Sequence, residues 1–212
     1  MNQLFLNLFM GKFIVIEGSE GVGKSSQIKF IQDFLEAHSI DYMLTREPGG
    51  TKFGESIRSI LLDKENDTDN ITDSLLFYAS RYENFKKIIE PALKDDKTVI
   101  CDRFHYSTLV YQGIVGDNAL VRELHNIFDS IFSDLIDNII YFYTNPEESL
   151  KRISRRDTTD KFESRGLEYL KDLSRAYESI FSKMDNVIRI DTTGKKENTK
   201  EQLYENLNKI FF

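Results

Sequence analysis

Residues 17 to 26, EGSEGVGKSS, decide the architecture of this chain. The segment from Gly18 to Ser25 matches the pattern G-x-x-x-x-G-K-[ST] and joins an apolar run to an amphipathic helical pattern. In such a loop, glycines allow backbone N–H groups to converge on phosphate oxygens, and the following helix adds partial positive charge. The Lys24 ammonium reaches the β- and γ-phosphates, and the Ser25 hydroxyl can ligate Mg²⁺. The stretch therefore predicts a phosphate-binding loop between a strand and a helix.

Short apolar runs separated by longer helical patterns recur along the whole chain. The runs predicted as strands cover 13–16, 42–44, 98–101, 139–143 and 187–190. Most are apolar throughout, as expected of parallel strands that are buried on both faces. Strands that alternate with helices form right-handed crossovers, so we predict a three-layer α/β fold with a five-stranded parallel sheet flanked by helices. Ligands of such sheets lie at the carboxyl ends of the strands, which directs attention to the residues that follow each run.

Length and composition exclude several classes of protein. The 212 residues suit one domain, which is predicted over 10–212. Residues 1–9 are interpreted as a disordered appendage or as the product of a start codon assigned too early. The formal net charge of −7 argues against a duplex-binding protein, so no nucleic-acid partner is expected. No apolar run approaches the ~20 residues that span a bilayer, so no membrane partner is expected. The single cysteine, Cys101, fits a reducing compartment, and we expect a cytoplasmic protein.

A phosphate-binding loop alone is shared by GTPases, motor ATPases, transporters and small-molecule kinases. A GTPase would normally carry an N-K-x-D motif that recognises guanine. The only Asn-Lys pair, Asn208-Lys209, is followed by Ile-Phe-Phe at the end of the sequence, which disfavours a GTPase. The predicted nucleotide-binding residues, which the family resemblance described below assigns to ATP, are Gly18, Ser19, Glu20, Gly21, Val22, Gly23, Lys24, Ser25 and Ser26.

Residues after the second predicted strand suggest a site for the phosphate acceptor. Arg46 in LTREPGGT (44–51) can contact an anion, although a surface turn with a solvated arginine would have the same sequence. In LLFYASR (75–81), Phe77 and Arg81 are four residues apart and so face the same way on a helix. That pair suits a nucleobase, although core packing beside a surface ion pair is the commoner arrangement.

The segment CDRFHYSTLVYQ (101–112) begins at the end of a predicted strand. Asp102 is placed to hold Mg²⁺ or one of its waters, and Arg103 beside it can bridge phosphates. One helical face carries a hydroxyl, a phenol and an amide, which belong to Thr108, Tyr111 and Gln112. An amphipathic helix with a packed tyrosine would show the same spacing. The histidines have no visible partners in the sequence and no predicted role; they are His38, His105 and His125.

Five segments, in this order, resemble the thymidylate kinase family. They are GKFIVIEGSEGVGKSSQ, TREPGGT, LLFYASR, DRFHYSTLVYQ and DKFE, and the similarity covers nearly everything from Met10 onward. The resemblance implies a P-loop kinase fold, transfer of the γ-phosphoryl group of ATP to dTMP with Mg²⁺, and a homodimer. Two other interpretations stay open on the residues alone. One is a P-loop kinase for a deoxynucleoside or another nucleoside monophosphate, and the other is a non-catalytic ATP-binding switch.

The resemblance also implies roles for the acceptor-side residues. Arg46 and Arg103 would hold the acceptor phosphate. Phe77 would stack on thymine, and Arg81 would donate to its carbonyl edge. Tyr111 would close against the sugar where a ribose 2′-hydroxyl would lie. Thr108 would face the base, and the metal ligands would be Ser25 and Asp102. The implied dTMP-binding residues are Arg46, Phe77, Arg81, Arg103, Thr108, Tyr111 and Gln112.

The basic stretch LKRISRRDTTDKFE (150–163) resembles the flexible lid of the bacterial subtype of the family, in which lid arginines reach over ATP. Arg152 and Arg156 occupy the corresponding positions, and Arg155 is adjacent. A mobile basic lid closes on bound nucleotide, excludes water and places positive charge on the transferring phosphoryl group. A solvated helix face with mixed charges would have a similar composition. The implied catalytic residues are Lys24, Arg103, Arg156, Arg152 and Glu20.

Several positions depart from the family pattern. Gly21 lies where some members carry an arginine in the loop, so the missing positive charge is expected from the lid. Glu20 replaces the commoner aspartate. Lys161 replaces the arginine of the usual lid ending Asp-Arg-Phe-Glu, which removes a planar bidentate donor. Asp191 matches a segment near adenine in the family, but we interpret it as a helix cap.

Overall fold

The computed structural model describes residues 11–155, 161–162 and 165–212, and the predicted appendage at 1–9 lies outside them. The described residues form a five-stranded, all-parallel sheet flanked by helices, which confirms the predicted fold class. The strands are β1 (Phe13–Glu17), β2 (Tyr42–Arg46), β3 (Thr98–Asp102), β4 (Asn138–Tyr143) and β5 (Val187–Asp191). The helices are α1 (Lys24–Ala37), α2 (Lys52–Leu62), α3 (Asn70–Asn84), α4 (Glu90–Lys94), α5 (His105–Thr108), α6 (Ala119–Phe132), α7 (Pro146–Ile153), α8 (Gly166–Phe181) and α9 (Lys196–Phe211). Wider π-helical turns, Phe85–Ile89 and Leu109–Val115, continue α3 and α5, and a 3₁₀ turn, Ser133–Leu135, follows α6.

The strand order is β2-β3-β1-β4-β5, which places β1 at the centre of the sheet. All five residues of β1 are buried, as its apolar sequence predicts. The burial predicted for most strands applies to β1, β3 and β4. It does not apply to β2 and β5, which lie at the two edges and are partly exposed because each has a neighbouring strand on one side.

Alternate residues of β1 contribute to two separate apolar cores, because successive side chains of a strand point to opposite faces of the sheet. Phe13 and Val15 pack in a core that includes side chains of α6, α7 and α8. Ile14 and Ile16 pack in a second core under α1 and α9. The two cores hold the sheet between layers of helices and fix the positions of the strand ends.

The carboxyl ends of three strands lie side by side at one edge of the sheet. Ile16 of β1 is opposite Asp102 of β3, and Asp102 is in turn opposite Arg46 of β2. The residues that follow these strands are therefore neighbours in space although they are far apart in sequence. This register brings together the segments in which the alternation of strands and helices predicts a ligand.

The helices begin in two different ways. Side chains cap the N-termini of α2, α3, α6 and α7 by accepting bonds from backbone N–H groups; the capping residues are Thr51, Asp69, Asn118 and Asn145. In contrast, α1 follows Gly23, which has φ of 89° and no side chain to cap the helix. Its N-terminus is therefore suited to an anionic ligand. No helix in the described parts of the chain is long and apolar enough to cross a membrane.

The Thr51 cap provides a test of how the segment after β2 is held. Its hydroxyl accepts a hydrogen bond from the Gly54 N–H at 3.0 Å. We expect Thr51→Ala to lower the free energy of unfolding by about 1 kcal/mol. Thr51→Ser should retain most of the stabilisation, because serine keeps the capping hydroxyl. Urea denaturation with an unchanged m value would measure this difference. An equal loss in both variants would attribute the effect to the methyl group and contradict the capping role.

Candidate active site

A cavity of about 300 Å³ lies at the carboxyl ends of β1, β2 and β3. It contains both the phosphate-binding loop and the predicted acceptor site, so two distant parts of the sequence form one pocket. The predicted residues that line it are Glu20, Gly21, Gly23, Lys24, Ser25, Ser26, Phe77, Arg81, Asp102, Arg103, Thr108, Tyr111 and Gln112. Of the residues predicted for dTMP, only Arg46 is not part of this lining.

The phosphate-binding loop has the backbone conformation that its glycines allow. Gly21 has φ of 74°, and a Cβ atom there would lie 2.5 Å from the Ser149 carbonyl oxygen, so a side chain would be both strained and blocked. The Lys24 ammonium donates to the carbonyl oxygens of Gly18 and Ser19 at 2.8 and 3.0 Å. Burial and the nearby Arg103 guanidinium lower the pKa of Lys24 to about 8. An anionic ligand would raise this pKa again and stabilise the charged lysine.

Asp102 and Ser25 fit a magnesium site. Asp102 Oδ1 is buried and has no hydrogen-bond partner among the described residues. Ser25 lines the same pocket. A carboxylate and a hydroxyl are the hard oxygen ligands that Mg²⁺ prefers, and Mg²⁺ commonly keeps waters and substrate phosphates as its other ligands. These two residues could therefore hold the metal as the sequence predicts.

Glu20 connects the phosphate-binding loop to the predicted acceptor side of the pocket. Its carboxylate accepts from the Tyr111 hydroxyl at 2.6 Å and from Arg103 Nη2 at 2.7 Å. The Arg103 guanidinium lies over the Tyr111 ring, 5.2 Å from its centroid. Burial is the main cause of the raised pKa of Tyr111, whose hydroxyl therefore stays protonated and can donate to Glu20. The longer side chain of glutamate thus orients a cation and a phenol together.

Glu17, at the end of β1, holds the segment that follows β3. It is fully buried. Its Oε1 accepts from the backbone N–H groups of Phe104 and Ser107 at 3.0 and 3.2 Å. Its Oε2 accepts from the Ser107 hydroxyl at 2.7 Å and from the Tyr177 hydroxyl at 2.9 Å. These four bonds fix the backbone on either side of α5's start, directly after Arg103.

Arg81 is buried in the floor of the pocket, with 1% of its side chain exposed. Its Nε donates to Glu47 at 2.5 Å, its Nη1 to the Thr108 hydroxyl at 3.1 Å, and its Nη2 to the Phe104 carbonyl oxygen at 3.1 Å. The interpretation of this arginine as part of a surface ion pair is wrong, because its carboxylate partner is equally buried. Phe77 lies one helical turn away and lines the same pocket, as the spacing of four residues predicts.

Comparison with known proteins agrees with this geometry. The family model described as thymidylate kinase matches residues 16–203. The thymidylate kinase of Francisella tularensis subsp. holarctica (strain LVS) is 34% identical over 203 residues, covering 94% of this chain and 97% of that protein. The thymidylate kinase of Francisella philomiragia subsp. philomiragia is 35% identical over 205 residues, covering 95% of this chain and 100% of that protein. The chain belongs to the thymidylate kinase family. The resemblance drawn from the five sequence segments is therefore confirmed.

Two charged pocket residues of this thymidylate kinase family member were not predicted from the sequence. Glu47 lies between Arg46 and Pro48, and Asn84 and Arg81 both donate to its carboxylate. Burial raises the pKa of Glu47 to about 7 despite these partners. Arg58 of α2 also lines the pocket and donates to the Pro48 carbonyl oxygen at 3.0 Å. The adjacent turn in TREPGGT is a signal for Glu47, whereas nothing in the amphipathic pattern of α2 distinguishes Arg58.

Arg46 occupies a neighbouring cleft of about 430 Å³, which shares Ser25 and Asp102 with the main pocket. It is the last residue of the edge strand β2, its side chain is about half exposed, and it pairs with Glu55 of α2 at 2.9 Å. This pairing is the main reason that the pKa of Glu55 is lowered. The predicted contact between Arg46 and an acceptor phosphate stays a prediction.

Arg152 lies against the phosphate-binding loop. In the last turn of α7, it donates to the Thr192 carbonyl oxygen at 2.7 Å and to the Gly21 carbonyl oxygen at 3.4 Å, and Glu148 pairs with it at 3.1 Å. A cation therefore lies beside Gly21, the position at which some family members carry an arginine. Arg155 is exposed at the end of the described segment, and Arg156 lies outside the described residues.

Two of the histidines have partners that the sequence does not reveal. His105 Nε2 lies 2.9 Å from Asp129 Oδ1, and His125 stacks on His105 with ring centroids 5.2 Å apart. Burial lowers the pKa of His105 to about 4 and that of His125 to about 3. These partners are not visible in the sequence, because α5 and α6 bring the residues together only in the folded chain. The exposed His38 contacts the Phe34 carbonyl oxygen through Nδ1 at 2.8 Å.

Asp191 does not cap a helix. Its carboxylate accepts from the Thr193 N–H at 2.7 Å, whereas the residue before α9 is Lys195. The interpretation as a helix cap is therefore wrong, and Asp191 instead stabilises the turn after β5. The next residue, Thr192, donates to the Val22 carbonyl oxygen at 2.8 Å and so joins this turn to the phosphate-binding loop.

The buried histidines make stability depend on pH. Unfolded His105 binds a proton near its ordinary pKa of 6.5, whereas the folded protein binds it only near pH 4. Acidification between these values therefore favours the unfolded chain. We expect His105 alone to reduce the free energy of unfolding by about 3 kcal/mol across this window. Urea denaturation at a series of pH values would measure the loss.

Matched histidine variants isolate this effect. His105→Gln should reduce the dependence of stability on pH between 6.5 and 4, because glutamine does not titrate, while the buried His125 still contributes. His38→Gln, which changes an exposed histidine on α1's carboxyl end, should leave the dependence as it is. An unchanged slope in His105→Gln would show that other groups cause the acid sensitivity.

Proposed function

We propose that this protein transfers the γ-phosphoryl group of ATP to dTMP, producing ADP and dTDP. Membership of the thymidylate kinase family supports this reaction. The observation that carries the proposal is the single cavity that contains a phosphate-binding loop, a carboxylate suited to Mg²⁺ and an aromatic, arginine-lined chamber. The phosphate-binding loop and this chamber meet at Arg103, where the γ-phosphate of ATP would meet the phosphate of dTMP.

ATP would bind with its phosphates in the loop at the start of α1. The backbone N–H groups of the loop and the Lys24 ammonium would contact the β- and γ-phosphates. Arg152 supports this placement, because its guanidinium already lies beside Gly21 and Thr192 at the outer side of the loop. Mg²⁺ held by Ser25 and Asp102 would neutralise negative charge on the ATP phosphates.

The nucleobase would bind between Phe77, Arg81 and Gln112. Arg81 is immobilised by Glu47, Thr108 and a backbone carbonyl, so a base would meet a donor that is already oriented. Gln112 Oε1 is buried and has no hydrogen-bond partner among the described residues, so it suits the N3–H donor of thymine. Phe77 would supply the stacking surface. This set of groups favours a base with one ring N–H between two carbonyl groups.

Tyr111 accounts for a preference for a deoxyribose sugar. Its ring is buried, and its hydroxyl is held by Glu20 at 2.6 Å, so it cannot move aside without breaking a charge-assisted bond. A ribose 2′-hydroxyl directed at this ring would meet a fixed wall. The preference would therefore be steric.

The reaction would need little covalent chemistry from the protein. The acceptor is already a phosphate oxyanion, so no strong base is required. Side chains would instead align the two phosphate groups and neutralise charge as it spreads in the transition state. Arg103 is placed for this role because Glu20 holds it between the loop and the acceptor chamber. Arg156 as a further lid cation stays a prediction.

The proposed reaction can be tested with an assay of ADP release in the presence of Mg²⁺ and ATP. The acceptors to compare are dTMP, dUMP, thymidine, dCMP and none. We expect a strong response to dTMP and a response to dUMP that is weaker by about 10- to 200-fold, because the two differ by one methyl group. Loss of the dTMP response by about 100-fold or more in Lys24→Met would exclude a contaminating kinase.

Each alternative predicts a different result in this assay. A deoxynucleoside kinase would respond to thymidine, and a kinase for another nucleoside monophosphate would respond to dCMP. A non-catalytic switch would hold or hydrolyse ATP at a rate that no acceptor changes. Absence of dTMP-dependent ADP release would refute the proposed function. A cytoplasmic location stays a prediction.

We also propose that the protein is a homodimer joined through α2, α3 and α6. Each of these helices exposes two large apolar side chains seven residues apart, a spacing that places both on one face. The pairs are Phe53 and Ile60 on α2, Leu75 and Tyr82 on α3, and Leu120 and Ile127 on α6. A second copy of the chain would cover this surface, in agreement with the homodimer that the family resemblance implies.

Light scattering coupled to size-exclusion chromatography would test the dimer. We expect a dimer for the unchanged chain and a monomer for Leu75→Asp, because the charge would be buried at the interface. Tyr204→Asp provides the matched control, since Tyr204 is an exposed apolar residue on α9, away from the three helices. A monomeric unchanged chain, or a dimer that Leu75→Asp leaves intact, would contradict the proposed interface.

A further inference from the structure

Lys161 forms an ion pair with α3 that the reaction described above does not use. Its Nζ donates to Asp73 Oδ2 at 3.2 Å and to the Thr68 hydroxyl at 3.1 Å. The Thr68 hydroxyl in turn donates to the same carboxylate. The ion pair is largely protected from water, with 15% of the Lys161 side chain and 3% of the Asp73 side chain exposed. Protection from water makes this pair more than a solvated surface contact.

The pair lies directly beside Phe162, because Lys161 precedes Phe162 in the chain. Asp73 and Phe77 are four residues apart on α3 and so lie on the same face of the helix. When Lys161 binds Asp73, the next residue in the chain lies over Phe77. The ring of Phe162 is 6.4 Å from the ring of Phe77 and packs edge-on against Tyr111 at 5.8 Å. Phe162 is buried and lines the active-site cavity.

We propose that Lys161 and Asp73 are a positioning pair that holds Phe162 as one wall of the chamber for the acceptor nucleoside. The inference rests on the proposed function, because it assumes that dTMP occupies the chamber lined by Phe77, Tyr111 and Phe162. Lys161 itself does not line the cavity, so it acts on the acceptor through its neighbour. The pair therefore sets the affinity for dTMP and has little influence on ATP.

The physical reason is the cost of leaving a buried charge unpaired. Removal of the lysine leaves the buried Asp73 carboxylate without its ion-pair partner, although the Thr68 hydroxyl still donates to it, so the local structure must rearrange. Rearrangement of Lys161 displaces the adjacent ring. An aromatic wall contacts the nucleoside equally in the ground state and in the transition state. Its loss should therefore appear in KM and not in kcat.

The test is a double-mutant cycle with Lys161→Met and Asp73→Asn, measured by steady-state kinetics with dTMP and ATP varied separately. We expect each variant to raise KM for dTMP by about 10-fold, with kcat and KM for ATP within about 2-fold of the unchanged enzyme. The double variant should be no worse than either single variant, because both remove the same interaction. Phe162→Ala should raise KM for dTMP in the same way, and adding Lys161→Met to it should have no further effect.

Two controls separate positioning from general stability. Lys161→Arg keeps the charge and should retain the KM of the unchanged enzyme. Lys171→Met removes a partly exposed lysine that pairs with Glu168 on α8, and it should leave KM unchanged. Thermal unfolding of each variant shows whether it is folded. If Asp73→Asn does not fold, Thr68→Val takes its place in the cycle, because Thr68 binds both members of the pair.

The outcomes distinguish the inference from the proposed function. An unchanged enzyme without dTMP kinase activity refutes both. An active enzyme in which Lys161→Met lowers the unfolding temperature but leaves KM for dTMP as it is refutes the positioning role alone. Equal increases in KM for ATP and dTMP also refute it, because the pair would then act on the whole site.

Discussion

The active site depends on the buried carboxylate of Glu17. A polar group inside a protein is stable only when hydrogen bonds replace its hydration, and the Glu17 carboxyl oxygens accept four of them. Its donors come from the start of α5 and from Tyr177 of α8, while Glu17 itself ends the central strand. One side chain therefore joins the sheet to two helices that pack over it. Arg103 lies between these fixed points, with φ of 67°, a left-handed conformation that such a framework must hold in place.

The cations of the pocket are oriented by carboxylates in the same manner. Glu20 holds Arg103 beside the phosphate-binding loop, and Glu47 holds Arg81 beneath the proposed base site. Groups held in this way need little rearrangement when a charged ligand binds, and such preorganisation is the main electrostatic contribution of a phosphoryl-transfer site. Buried charge pairs add little net stability, so they are better explained by the geometry they impose on the site.

The parallel sheet explains why these groups meet. Glu17 and Asp102 end adjacent strands, and the register pairs Asp102 with Ile16, the residue before Glu17. Segments that are far apart in the sequence, such as the phosphate-binding loop and the residues after β3, therefore enter the same cavity. The outer strand β2 has one neighbour, and this leaves Arg46 at the rim, in a second cleft with Glu55. Arg103 follows the inner strand β3 and enters the main pocket, whereas Arg46 ends the edge strand β2 and does not. The position of each strand in the sheet explains this difference.

The sequence by itself determined the strands, the phosphate-binding loop and most of the pocket lining, because these follow from local rules: apolar runs, glycine spacing and helical periodicity. Only the tertiary structure decided which residues became partners. The burial of Arg81 with Glu47, the entry of Arg58 into the pocket and the stacking of His105 on His125 all join separate elements. Such contacts depend on how helices pack against the sheet. Periodicity shows which face of a helix is buried, but not which charged group lies opposite it.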